Sequence, residues 1–352
     1  MRDNIFTKVN VYCGAGIILG LFFSRTLLEA SAVISIIFYI VFKIRKREKL
    51  NMGEYAVILF LLVALLSAML SPFRKEALDG YRRTFPYLLL IPSFTSIKER
   101  RLEIYSFLFI CVGFIAAIIG MVGKIYGDSF FNVYGMLPLV FANLMLIPYA
   151  FSIYLVRKKR IPGIILTLFF LVVIFFTKRF SAIIGVVIIP IILLILINKR
   201  FLLLLLLLPG LFFLRNIGGD KNRFSGRKKL FLSGLKMIER RPVLGFGSSS
   251  IRPYYEKYSI PYVIPYKLGD FQNSYIQIGF STGILGLVIF LFSIFYYLIK
   301  GFKKLKLRRD KLLYIDVFVI LVMIIINANF IYSFGSPQLS IPFYLLLGIF
   351  GN

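Results

Sequence analysis

The sequence predicts an all-α polytopic integral membrane protein with about twelve transmembrane helices and one long extracytoplasmic loop. Three observations carry that expectation. The chain is 59% hydrophobic over 352 residues, with a mean hydropathy of +0.86, whereas a soluble domain is nearer half apolar. Its apolar residues come in repeated runs of roughly twenty, the length that crosses a bilayer as a helix. Those runs are continuous rather than alternating, so helices and not a barrel satisfy the backbone in lipid.

Taken in order, the predicted spans fall at 9–24, 28–44, 55–72, 84–97, 103–123, 134–156, 161–177, 180–198, 201–215, 284–300, 312–332 and 338–351. The fourth holds Pro86 and Pro92. Proline removes a backbone donor, so this span reads as broken, or as buried against neighbours rather than facing lipid. The ninth is a leucine run with Pro209 and Gly210 near its end. The chain therefore divides into helices 1–9 over 1–215, an extracytoplasmic loop with an amphipathic helix and a motif region over 216–283, and three last helices over 284–352.

Lys plus Arg number 43 against 15 acids, a formal charge of +28. Such a balance raises nucleic acid as a partner. The distribution argues against it, because many bases sit in short loops between spans. One set is Lys43, Arg45, Lys46, Arg47 and Lys49, and another is Lys98, Arg100 and Arg101. Then come Arg157, Lys158, Lys159 and Arg160, the pair Lys199 and Arg200, and a last set from Lys300 to Lys311. They alternate with base-poor loops at Arg25, Lys124 and 334–338. This is the positive-inside pattern of a multi-pass membrane protein, with both termini cytoplasmic and with lipid, not nucleic acid, around it. Cys13 and Cys111 fall inside predicted helices and read as small apolar packers. The sequence has no histidine, which excludes histidine metal sites and histidine bases. The first apolar run reads as a retained helix rather than a cleaved signal peptide.

Three outer segments are basic against that rule: 74–83 with Arg74, Arg82 and Arg83, the turn Lys178-Arg179, and the loop 215–283. Long loops translocate regardless of charge, which covers the last segment but not the two short ones. A fixed anionic ligand at the outer face accounts for all three.

Within the long loop, 227–241 reads as an amphipathic helix. Leu230, Phe231, Leu235 and Ile238 share a face, the bases lie largely elsewhere, and Pro242 ends it. It suits the lipid headgroups and equally a scaffold helix with a solvated basic side. Gly245-Phe246-Gly247 is a turn whose amides suit an anion or merely turn the chain. Tyr254, Tyr255, Tyr258, Tyr262 and Tyr266 favour the membrane interface, and their rings also suit stacking on sugars. Asn273 and Gln277 lie one helical turn apart, so both face one site. Gly283 and Gly286 suit a helix start and close packing.

Together these residues resemble the O-antigen ligase and O-antigen polymerase family. That family's loop opens an amphipathic helix with an arginine, continues with P-x-x-G-x-G, and closes on H-N-x-Y-L-Q and G-x-x-G. Here Arg227 stands first, then Pro242, Gly245 and Gly247, then Asn273, Tyr275 and Gln277, then Gly283 and Gly286. Thr177-Lys178-Arg179 resembles a second family element, a short turn between two spans upstream. The resemblance covers about 170–300, and the N-terminal half shares only topology.

The resemblance implies a glycosyltransferase that moves glycan from undecaprenyl diphosphate to an acceptor, either another lipid-linked glycan or lipid A-core. It implies no cofactor and no metal, and the chain offers no D-x-D pair for a divalent ion. A diphosphate leaving group gathers charge, which arginine stabilises by forking onto its oxygens. Arg179 and Arg227 are the expected diphosphate ligands by motif, with Arg252, Arg74, Arg82 and Arg83 added by side of the membrane. Gly245, Gly247, Asn273, Tyr275 and Gln277 are the expected substrate contacts. One departure stands out: the family histidine is Gln272 here. Glutamine hydrogen-bonds but takes no proton. Asp270, two residues away, is the expected replacement base, with Arg227 and Gln272 beside it in the chemistry. The alternative role for Asp270 is a turn residue after Gly269. Without the ligase-type histidine, polymerase is favoured over ligase. A flippase or transporter of the same lipid-linked glycan, or a catalytically inactive paralogue, remains the alternative reading.

Overall fold

The structure is a computed structural model, and it describes residues 2–95, 97, 99–125, 138–197, 221–248, 270–305, 311–329, 334 and 336–352. Every regular element among them is helical. The first three helices are α1 (Arg2–Phe23), α2 (Arg25–Lys46) and α3 (Met52–Met69). The short basic α4 (Arg74–Thr84) follows, then a 3-10 turn (Pro86–Leu89) and α5 (Leu90–Phe94). Next come α6 (Glu99–Ile125), α7 (Pro138–Leu144), α8 (Leu146–Lys158), α9 (Arg160–Phe176) and α10 (Phe180–Ile197). The last four are α11 (Lys221–Arg240), α12 (Ser274–Lys304), α13 (Lys311–Asn327) and α14 (Pro337–Phe350).

Five stretches among the described residues are long and apolar enough to cross a membrane: Arg25–Lys46, Met52–Met69, Arg101–Gly123, Pro138–Lys158 and Ser274–Lys304. Four shorter apolar helices accompany them, Lys8–Phe23, Arg160–Phe176, Ser181–Leu193 and Pro337–Phe350. Two expected spans take irregular forms, and a third lies outside the described residues. The fourth expected span is no single helix. The segment turns through Pro86 and Pro92, and its short pieces are packed inside the protein, with Leu88, Leu90, Ile91 and Phe94 all buried. The expected start of the tenth span at residue 284 is where the second arm of α12 begins, after the break at Gly283; a first arm runs from Ser274 to that break. The ninth, 201–215, lies outside the described residues.

Local chemistry sets the helix starts. The Ser24 hydroxyl accepts the Leu27 N–H at 3.2 Å and opens α2. A reciprocal capping box opens α3: Asn51 Oδ1 accepts from Glu54 N at 3.0 Å and Glu54 Oε2 from Asn51 N at 2.7 Å. Such caps satisfy amides that a helix leaves unpaired at its first turn. Apolar side chains such as Ile37 and Phe38 of α2, Leu62 of α3, Ile165 of α9 and Val288 of α12 remain exposed on the outside of the bundle. A continuous apolar exterior of that kind is what lipid demands of a bundle.

The bundle has two chemically distinct ends. At one, Lys43 Nζ lies 3.0 Å from the buried Glu54 carboxylate, which also accepts the Tyr39 hydroxyl at 2.8 Å. Lys158 pairs with Glu103 at 3.0 Å and Arg157 with the fully buried Asp316 at 3.6 Å. Asn352 reaches the Ile97 carbonyl at 2.8 Å. Loops assigned to one side by charge are thus tied together at one end. At the other end α3, α4, the segment 241–248 and the start of α12 meet, and that is where the family motifs fall.

Candidate functional site

The motif end is built on a backbone joint. At Gly283, φ is 71° and ψ is −177°, so α12 breaks its own hydrogen-bond ladder there. The carbonyls this frees are taken by the chain after α11. Phe246 N–H donates to Phe280 O at 2.8 Å and Gly247 N–H to Ser281 O at 2.9 Å. In return Ile284 N–H donates to Pro242 O at 2.7 Å. The Ser67 hydroxyl of α3 adds a second donor to Ser281 O at 2.6 Å. Buried backbone groups need such partners. Gly245 has φ +66° and its α-carbon faces the Phe280 carbonyl, while Gly283 faces that of Val243, so a side chain fits at neither. The Gly245 N–H goes to Arg241 O at 3.0 Å. All three amides of Gly245-Phe246-Gly247 therefore donate to carbonyls, which assigns this turn to the joint and leaves no amide of it for an anion.

A small aromatic core locks the joint. Phe246 stacks on Phe280 with centroids 5.3 Å apart, and Phe271 meets Phe280 edge-on at 5.4 Å. Met237 and Ile238 of α11, with Ile276, complete the cluster. The apolar face of α11 read from the sequence is thus partly buried here: Leu230 and Ile238 lie inward, while Phe231 and Leu235 are exposed.

From this core the segment 270–277 is held tightly. Asn273 caps α12, its Oδ1 accepting from Tyr275 N at 3.0 Å and Ile276 N at 3.1 Å. Its Nδ2 donates to Asn329 O at 3.3 Å. Gln277 Oε1 accepts the Phe271 N–H at 3.2 Å, and the Tyr275 hydroxyl donates to Ile325 O at 2.7 Å. Gln272 takes a left-handed backbone with φ 52°. That is uncommon for a residue with a side chain, and such strain gathers at functional sites. Its N–H donates to Asp270 Oδ1 at 2.7 Å. Both Asp270 and Gln272 are half-buried. Burial raises the Asp270 carboxyl above its ordinary range, opposed in part by that N–H. A carboxyl of this kind holds its proton to a higher pH than a free one.

The basic segments line the same end. Gly80 and Ala77 of α4 rest against Ser248 and Gly247, which seats α4 beside the joint. Its Arg74, Arg82 and Arg83 are exposed, and Asp79 pairs with Arg82 at 3.0 Å and Arg83 at 2.9 Å. Arg241 reaches Leu70 O at 3.4 Å and lies 5.3 Å from the Phe246 ring centroid. Arg179 is exposed at the turn from α9 to α10, where Lys178 has φ 52°. Its carbonyl accepts from Ala182 and Ile183 N–H, both at 3.1 Å, and so opens α10. Arg227 lies in α11, but its side chain is outside the described atoms; Arg252 and the tyrosines between 254 and 266 are outside the described residues. Among the described residues no group of three or more Cys, Asp or Glu side chains gathers to hold a metal.

One known family covers most of the elements at this end. Residues 161–291 match the family described as O-antigen ligase. The chain carries an O-antigen ligase family domain. That domain runs from the start of α9 into α12 and contains the Arg179 turn, α11, the joint and the capped segment 270–277. No curated protein matches the chain. The matched family is of glycosyltransferase type, and the apolar helices suit an integral membrane protein. Elements outside the domain support it: Ser67 of α3 and the α4 surface brace the joint, and Asn329 braces the Asn273 cap. Sequence reading missed Ser67, Asn143, Asn327 and Asn329, since a lone polar residue inside an apolar run carries no period or motif.

Proposed function

We propose that the protein transfers glycan from undecaprenyl diphosphate to an acceptor hydroxyl at the outer face of the cytoplasmic membrane, as a polymerase rather than a ligase. The polymerase preference rests on Gln272 standing at the family histidine position, and the observation that supports transfer itself is positional. The O-antigen ligase domain's Arg179 turn and its Asp270–Gln272 pair sit at the bundle end that also holds the basic α4. In the proposed step the acceptor oxygen attacks the anomeric carbon. The bond from that carbon to the diphosphate breaks, and the lipid diphosphate leaves with the electron pair. Arg179 and Arg227, with Arg252, neutralise the charge that develops by forking onto the diphosphate oxygens. Asp270 takes the acceptor's proton. Its raised pKa makes it a stronger base than a free carboxylate, and general-base work favours a pKa nearer the working pH. Gln272 orients the acceptor through hydrogen bonds. Asn273, Tyr275, Gln277, Gly245 and Gly247 shape the site by fixing its backbone.

The test uses the purified chain in lipid nanodiscs with a labelled undecaprenyl-diphosphate-linked repeat. Longer glycans still on the lipid diphosphate support a polymerase. Glycan moved only onto added lipid A-core supports a ligase instead. Folded protein that transfers to neither acceptor overturns the proposal.

A further inference from the structure

A line of buried amides runs between the two halves of the candidate site. Asn143 of α7 donates through Nδ2 to the Ser181 hydroxyl of α10 at 3.2 Å. Its Oδ1 accepts from Asn327 Nδ2 of α13 at 2.7 Å. Past Asn327 the chain reaches α12: Ala328 O accepts the Ser274 N–H at 2.7 Å, and Asn329 O accepts Asn273 Nδ2 at 3.3 Å. The links join α7 to α10, α7 to α13, and, twice, the end of α13 to the start of α12. Ser181 is two residues from Arg179, and Asn273 directly follows Gln272. Asn143, Ser181, Asn273 and Asn327 are all buried. An amide among apolar helices is costly unless paired, so each partner constrains where the next helix can sit.

We propose that Asn143, Ser181 and Asn327, with the backbone carbonyls of Ala328 and Asn329, are positioning groups for glycan transfer, a ladder that fixes the Arg179 turn relative to Asp270 and Gln272. The proposal rests on the transfer reading above. A ligand-binding role for these amides is poorly served by the space. Asn143 and Asn327 border a cavity of about 10 Å³, which is about one water and far below a sugar. The rest of its lining is apolar, with Leu144, Ile147, Met323 and Ile324 among it. The ladder also crosses the edge of the family domain, because Asn143 and Asn327 lie outside 161–291. It gives the flanking helices a part in the chemistry.

Hydrogen-exchange mass spectrometry and steady-state kinetics on the full chain in nanodiscs test this. Asn327→Leu is expected to raise exchange at both 177–183 and 270–280. It should lower kcat about three- to tenfold, the scale of one interhelical hydrogen bond, with KM for the lipid-linked donor unchanged. Ser181→Ala should act in the same direction, and Ser181→Thr, which keeps the hydroxyl, should restore kcat. Exchange that rises only within α7 and α13, or a kcat per folded protein that stays at wild type in Asn327→Leu and Ser181→Ala, overturns the ladder. If Asn327→Leu does not fold, the Ser181 pair decides alone. Coupled exchange in a protein that transfers no glycan would keep the mechanical link and sink the transfer reading.

Discussion

The backbone N–H of Phe246 donates to the carbonyl of Phe280 at 2.8 Å. That single bond turns two sequence motifs into one structure. P-x-x-G-x-G supplies the donors and G-x-x-G supplies the break that exposes the acceptors. Neither motif is complete alone, because a helix bent at Gly283 leaves carbonyls unpaired and the turn at Gly245 leaves amides unpaired. The joint fixes the N-terminal arm of α12, and with it Asn273, Gln272 and Asp270.

It follows that the glycines are structural and severe. Gly283→Ala and Gly245→Ala should each destabilise the protein by more than about 2 kcal/mol: a left-handed backbone costs an alanine roughly 1–2 kcal/mol, and a backbone carbonyl blocks the new methyl as well. Gly123→Ala in α6 meets nothing within 4 Å and should be neutral or slightly stabilising. Thermal unfolding in detergent measures all three. Equal melting temperatures across the set would mean that the joint contributes nothing to stability.

The fold was legible where apolar length alone decides, and the site only in outline. Continuous runs located α2, α3, α6 and α12, and the order of arginine, glycine and asparagine motifs located the family domain. Pro86 and Pro92 marked 84–97 as broken or buried rather than lipid-facing, and its short pieces lie inside the protein. Gly283 marked the helix start at 284, but the arm before it went unread because Ser274, Gln277 and Ser281 look too polar for the interior, yet all three are buried. The turn at Gly245 stayed open between an anion site and a plain turn because sequence shows the amides and not the carbonyls of Phe280 and Ser281 that take two of them. Glu54 is another polar residue that composition leaves outside, and Tyr39 and Lys43 hold it within.

Sidedness is the next test. With the native cysteines removed, Lys236→Cys on the exposed face of α11 should label with an impermeant thiol reagent in intact cells, and Lys159→Cys after α8 should not. Both positions are exposed in the fold. The reverse pattern would put the motif end in the cytoplasm and remove the outer-face donor.

For the charge clamp, Arg179→Ala and Arg227→Ala should each lower transfer about a hundredfold or more, the scale of losing one preorganised stabiliser of developing charge. Lysine at either position should rescue only in part, since it carries the charge without the fork. Wild-type glycan length in both alanine variants at normal protein levels would take these arginines out of the mechanism.

The base assignment is tested where the chain departs from its family. Asp270→Asn keeps the side-chain oxygen that accepts the Gln272 N–H, but an amide accepts no proton. Transfer should therefore be lost while donor binding survives. Only the deprotonated carboxylate works as a base, and burial raises its pKa. The wild-type rate should then rise with pH through a limb placed above that of an ordinary carboxylate, and fall away as Asp270 is protonated below it. Gln272→His restores the family residue beside the acid. It should retain or raise activity and move that limb further up, towards imidazole's pKa of about 6.5. A silent Asp270→Asn with a severe Gln272→Ala would make Gln272 a positioning group and remove the side-chain base. If both are silent, the 270–272 segment is only the turn that starts α12, and the flippase reading gains most.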